Sequence, residues 1–144
     1  MTEQNAGRST PTRPSGPVTI GGLARASEVG VETVRYYQRR RLLPVPSGAG
    51  GVRRYPASLI NRIRFIKKSQ NLGFTLDEIR ELLRLEEGGK RREIRSVAHS
   101  RLTSILEKIH DLERMEGVLA QLVHDCEEAN ALAPCPIIAA LSDQ

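Results

Sequence analysis

Two cysteines, Cys126 and Cys135, stand near the end of this 144-residue chain with eight residues between them. Thiolates are soft ligands that prefer mercury, copper(I), silver, zinc or lead to hard cations. Two of them on one loop can hold a soft ion in linear geometry with no third protein ligand. That suits mercury(II) and the monovalent ions copper(I) and silver(I). His124, His99 and Glu127 are the further donors to consider, and zinc, which usually takes four ligands, fits this inventory less well. The same thiols admit two other readings. Cys126 falls in heptad register with Ala98, Ile105, Leu112 and Leu119, so it could be a small buried apolar residue while Cys135 packs a terminal helix. Oxidation could instead join the pair if their Cα atoms come within about 6 Å.

A second chemistry is carried by cations. Thr33, Arg35, Tyr36, Gln38, Arg39, Arg40 and Arg41 crowd one short segment, and Arg53, Arg54 and Tyr55 follow a glycine-rich stretch. An α-helix fits the DNA major groove, where Arg reaches guanine and Gln reaches adenine. Cations on a neighbouring loop can hold the sugar-phosphate backbone without reading sequence. Thr19 and Arg25, on the segment before, complete the expected DNA-facing set. Catalysis finds no footing. His99 and His110 lie on charged segments with no nucleophile at a recognisable spacing. Gly48 to Gly51 lacks the Lys-Ser/Thr ending of a phosphate-binding loop and no strand precedes it, so no enzyme is expected.

The elements that must position these groups are helices. Thr19 is a suitable N-cap for a first helix, Ile20 to Ala26, and Gly30 separates it from a second, Glu32 to Arg40. That is a helix-turn-helix. Pro44, Pro46 and the glycines lead into Arg53 and Arg54 as a wing-like hairpin. A third helix runs from Pro56 to about Leu72, its apolar face including Phe65 and its outer face carrying Arg62, Arg64, Lys67 and Lys68. Thr75 and Glu78 fit a capping box opening a fourth helix. From Arg91 to His124 there is no proline, and Ala98, Leu102, Ile105, Ile109, Leu112, Leu119 and Val123 recur by three and four. At 1.5 Å per residue this rod is roughly 50 Å long. It is too long to bury against so small a domain, so a coiled-coil homodimer is expected.

Composition agrees. The chain is basic, with net charge +5 and pI near 9.7, and its lean core has two Phe, three Tyr and no Trp. No stretch approaches the roughly 18 apolar residues that span a bilayer, so no membrane partner is expected. The first 17 residues carry no apolar signal core and are expected to be a disordered arm. A cytoplasmic protein with reduced thiols is therefore expected. The fold class is mainly all-α: a winged helix-turn-helix DNA-binding domain over 18–88, a dimerisation helix over 89–125, and an effector loop with a C-terminal helix over 126–144.

Taken together, these motifs resemble the MerR family of transcription regulators from about Val18 to Leu141. Thr19-Ile-Gly resembles the opening of its helix-turn-helix, and Val31-Glu-Thr-Val-Arg-Tyr-Tyr37 its recognition helix. Arg53-Arg-Tyr55 resembles its wing, and Leu72-Gly-Phe-Thr-Leu-Asp-Glu-Ile79 its fourth helix. Asp111-Leu-Glu-Arg-Met-Glu116, Cys135-Pro-Ile-Ile138 and the cysteine spacing are most similar to the mercury-responsive branch. The resemblance implies a dimer on operator DNA whose recognition elements are spaced too far apart. Effector binding then twists the operator so that RNA polymerase can use the promoter. One departure stands out: where that branch places a third thiolate, this chain has Arg91, which cannot ligate a metal.

Overall fold

The computed structural model describes residues 15–48 and 50–142; the arm expected over 1–17 lies outside them apart from its last three residues. Six helices occur among the described residues: α1 (Ile20–Ala26), α2 (Val31–Arg39), α3 (Ser58–Asn71), α4 (Leu76–Glu87), α5 (Arg91–Glu128) and α6 (Pro136–Ser142). Two compact units divide within α5, the first ending at Ile94 and the second beginning at Arg95.

In the first unit the apolar positions of α1 to α4 converge. Leu23, Val34, Leu42, Ile60, Ile63, Ile66 and Ile79 are completely buried. Thr19 caps α1 by accepting the Gly22 N–H at 3.1 Å. Thr75 and Glu78 form the expected capping box on α4, each satisfying the other's backbone N–H. Phe65, expected on the buried face of α3, is instead 37% exposed.

The four helices end alike. Two residues after each C-cap an N–H reaches back in a Schellman turn: Val29 to Ala24, Leu42 to Tyr37, Phe74 to Ser69 and Lys90 to Leu85. This turn needs one residue with positive φ. Gly73 (φ 83°) and Gly89 (φ 65°) supply it after α3 and α4, whereas Glu28 and Arg41, both at φ 57°, supply it after α1 and α2. A non-glycine residue there is strained by about 1–2 kcal/mol.

The basic face of α3 is only partly a solvent face. Arg62 donates to the Leu42 carbonyl at 2.8 Å, Arg64 to Ala26 at 2.8 Å and Lys67 to Glu28 at 3.0 Å. Arg80 of α4 donates to Arg40 at 2.9 Å. Cations from α3 and α4 thus close the carbonyls left open where α1 and α2 end. Between Pro44 and Arg54 the expected hairpin forms no ladder among the described residues, because prolines lack N–H donors and the glycines favour open turns. The segment is tied down at its far end, where Tyr55 and Val18 exchange two backbone bonds of 2.7 and 2.9 Å.

In the second unit α5 is longer than expected: Cys126 lies inside its last turn, since no helix breaker precedes Asn130. None of its residues is buried. The Leu102, Ile105, Ile109, Leu112, Leu119 and Val123 seam is between 36% and 63% exposed.

Replacing Ile63 with Ala removes a fully buried branched side chain and should lower the stability of the first unit by roughly 2–5 kcal/mol. Urea denaturation followed by circular dichroism would measure it, and a loss below 1 kcal/mol would show that the α3 core is not as tightly packed as described.

Candidate nucleic-acid interface and thiol pair

α2 presents its polar face outward because Val34 and Tyr37 turn the opposite face into the core. Arg35 and Arg39 are exposed, and Tyr36 is 41% exposed. Arg35 pairs loosely with Glu32 at 3.5 Å, and the Arg39 guanidinium lies 6.0 Å from the Tyr36 ring centre. Such contacts between exposed groups are weak enough to exchange for a ligand. Across a cleft from α2 stands the wing segment, with Arg35, Gln38, Arg39, Val52 and Arg53 among its lining residues. Gly48 lets the wing fold closely over Arg53: a Cβ there would lie 2.8 Å from Arg53 Cγ. Arg53 and Arg54 are both exposed.

Several residues expected at the DNA have other duties. Tyr55 is only 2% exposed, so its ring belongs to the core and not to the outer face. Its hydroxyl accepts from Gln38 Nε2 at 3.1 Å, and the same amide donates to the Pro44 carbonyl at 3.2 Å. Gln38, read as a group that could reach adenine, therefore has its donor committed to both ends of the wing. Thr19 spends its hydroxyl on the α1 cap and is half-buried, as is Thr33. Arg25 is exposed at the last turn of α1. The bracing by Gln38 and the carbonyl caps from Arg62, Arg64, Lys67 and Arg80 were invisible in sequence. Only chain folding joins them to partners 6 to 40 residues away.

In the second unit the two cysteines meet. Both are free thiols, Cys126 half-buried and Cys135 exposed. Cys135 directly precedes α6, and the N–H groups of Ile138 and then Ile137, with the Cys126 thiol a smaller influence, lower its pKa. Cys126 moves the other way, raised chiefly by its hydrogen bond to Cys135 and then by that neighbour's charge. His124 and His99 are exposed, and no group of three or more His, Cys, Asp or Glu able to hold a metal occurs among the described residues.

A basic helix-turn-helix with a braced, arginine-bearing wing, joined to a long helix, is the arrangement of a DNA-binding transcription regulator. Comparison with known proteins agrees. Residues 18–86 match the family described as MerR HTH family regulatory protein, and residues 60–122 that described as MerR, DNA binding. The mercuric resistance operon regulatory protein of Serratia marcescens is 47% identical over 128 residues, which is 88% of this chain and 89% of that protein. A dual-function regulator from Bacillus megaterium MB1, solved with mercury(II), matches at TM-score 0.70 and 35% identity, covering 88% of this chain and all of that one. A transcription regulator from Ralstonia metallidurans CH34, solved with lead(II), matches at TM-score 0.74 and 30% identity, covering 87% and 99%. The chain belongs to the MerR family of transcription regulators.

Two outcomes follow. Gln38→Ala removes two neutral hydrogen bonds, each worth about 1 kcal/mol, and frees the wing. Operator affinity should fall in a fluorescence anisotropy titration while the helical circular dichroism is kept; unchanged affinity would show that the brace is dispensable. For the thiols, a lowered pKa means thiolate at lower pH, so alkylation by iodoacetamide should set in at Cys135 first as pH rises, and at Cys126 only later. Mass spectrometry of the labelled peptides would read the order, and the reverse order would contradict the thiol contacts described.

Proposed function

We propose that this regulator works as a homodimer joined along α5 and converts capture of mercury(II) by Cys126 and Cys135 into a change in operator geometry. The observation that carries the reading is the pair of free thiols, Cys126 in the last turn of α5 and Cys135 directly before α6, near enough for each to shift the other's pKa. Soft thiolates are the ligand set that mercury(II) favours. Relatives support the same direction, since the Serratia marcescens protein is a mercuric resistance regulator and the Bacillus megaterium neighbour was solved with mercury(II).

The division of labour follows the chain. Residues 18–88 grip operator DNA through Arg35, Tyr36, Arg39, Arg53 and Arg54, with Arg25 and Thr33 at the margin. Residues 89–125 dimerise, and 126–144 respond to the ion. The exposed apolar seam of α5 supports dimerisation, because such a stripe is stabilised only when another apolar surface covers it. A ligand shifts an equilibrium by its difference in affinity for two states. Closing the segment between Cys126 and Cys135 around an ion is such a difference, and it biases the dimer toward the arrangement that twists an overlong promoter spacer into a form RNA polymerase can use. Cytoplasmic residence keeps the thiols reduced.

Arg91 favours a second reading. It is exposed in the first turn of α5, and it stands where the resemblance to the mercury-responsive branch implies a third thiolate. A two-thiolate set with a fixed positive charge in place of a third suits the monovalent ions copper(I) and silver(I).

The test is transcription in vitro from a bound promoter with purified RNA polymerase. The Cys126→Ser, Cys135→Ser double variant should bind the promoter as the wild type does and lose the response to mercury(II). A retained response would place the sensor elsewhere.

A further inference from the structure

At the end of α2 positive charge continues beyond the reading face, with Arg39 common to both. Arg39, Arg40 and Arg41, with Arg80 from α4, surround a shallow cleft that contains one carboxylate, Asp77. Asp77 lies 3.1 Å from Arg80 and 3.9 Å from Arg40, so it orients those two guanidiniums, whose side chains remain 44% and 46% exposed. Arg80 is further fixed by its bond to the Arg40 carbonyl. Arg41 is different: among the described residues its exposed side chain has no hydrogen bond or ion pair, and only its backbone N–H is used, reaching Gln38.

The placement of Arg41 is unfavourable for the fold alone. It holds the left-handed position of the Schellman turn, where Gly73 and Gly89 serve after α3 and α4. Strain of this kind points toward function when something nearby gives it a use. Glu28 shows that strain by itself decides nothing, since it occupies the same position after α1 with its carbonyl capped by Lys67. What distinguishes Arg41 is its company. Four guanidiniums around a single carboxylate repel one another, and an arriving anion relieves that repulsion.

We propose that Arg41, flanked by Arg40 and Arg80, is a second phosphate-binding site, which takes hold of the DNA backbone beside the groove that α2 enters. Arg39 carries the argument to DNA over other polyanions, because it lines both this cleft and the cleft between α2 and the wing. The two clefts therefore share a wall at Arg39, near the end of the recognition helix. Arginine suits the task, its planar fork matching phosphate oxygens in two parallel bonds. Arg40 and Arg80, held by Asp77, form the rigid wall, and Arg41 is the group left to close on the ligand. A contact of this type adds affinity and fixes register without reading sequence.

Full-length wild type, Arg41→Gly and Arg41→Lys would be titrated against two probes over a range of salt: a duplex selected by the wild type from a random library, and a random-sequence duplex of several helical turns. Glycine suits the left-handed position, so Arg41→Gly should melt at or above the wild-type temperature. Its salt slope on both probes should shrink by about 0.9 per protomer bound, and low-salt affinity should drop by about fivefold to tenfold. The ratio of selected to random affinity should stay unchanged, and Arg41→Lys should keep the wild-type slope. A wild-type slope for Arg41→Gly would overturn the proposal, and so would a changed specificity ratio, which would make Arg41 a base reader. Normal DNA binding with altered transcription by purified RNA polymerase would also overturn it, in favour of an acidic protein surface as the ligand.

Discussion

Burial of apolar surface is the main favourable term in folding, and α5 buries almost none by itself. Its 38 residues include no buried side chain, yet a seam of Leu, Ile and Val runs along it from Leu102 to Val123. A helix of that length in water relies on tertiary packing more than on intrinsic propensity. The partner proposed for the seam is a second copy, and the remaining features gain meaning from it. A dimer brings two basic helix-turn-helix units to one DNA, and Cys126 sits on the last turn of the helix that would form the joint. An ion held there would act next to the dimer contact, not at a distant surface.

The first unit meets a different constraint. Its recognition helix is only nine residues long and must stand clear of the core on one side while being fixed on the other. Val34 and Tyr37 anchor it from below, and the Tyr37 hydroxyl donates to Gln70 at 2.7 Å. Gln38 ties it to both ends of the wing, and Arg80 closes the carbonyl at its end. Polar side chains that look like ligand contacts in a linear chain are thus spent on holding geometry. Arg35, Arg39, Arg53 and Arg54 are among the cations that stay exposed, and they are the ones proposed to meet the DNA in the α2 and wing cleft.

Much of this was legible in the sequence, for physical reasons that differ by element. The caps at Thr19 and Thr75 could be read because a hydroxyl three residues from an N–H is a local interaction. The seam of α5 could be read because its period matches the helix. The cysteine pair could be anticipated from spacing, although not that Cys126 would lie within α5 while the start of α6 lowers the Cys135 pKa. Tyr55 misled because an aromatic beside two arginines looks like part of a nucleic-acid surface, whereas its backbone pairing with Val18 turns the ring inward. Arg62, Arg64 and Lys67 do stand on the outer face of α3 as read, but that folding also delivers the carbonyls of Leu42, Ala26 and Glu28 to them could not be read locally. Phe65 shows the limit of periodicity, since a single position next to Ile66 can fall on either side of the boundary.

The central claim is that each protomer carries a complete two-thiolate site for a soft ion. The most direct measurement is X-ray absorption on the reduced full-length protein titrated with mercury(II), counting ions per protomer and sulfurs per ion. The account predicts one mercury(II) per protomer, held by two sulfurs. One ion shared between two protomers with three or more sulfurs, or no tight binding at all, would contradict it.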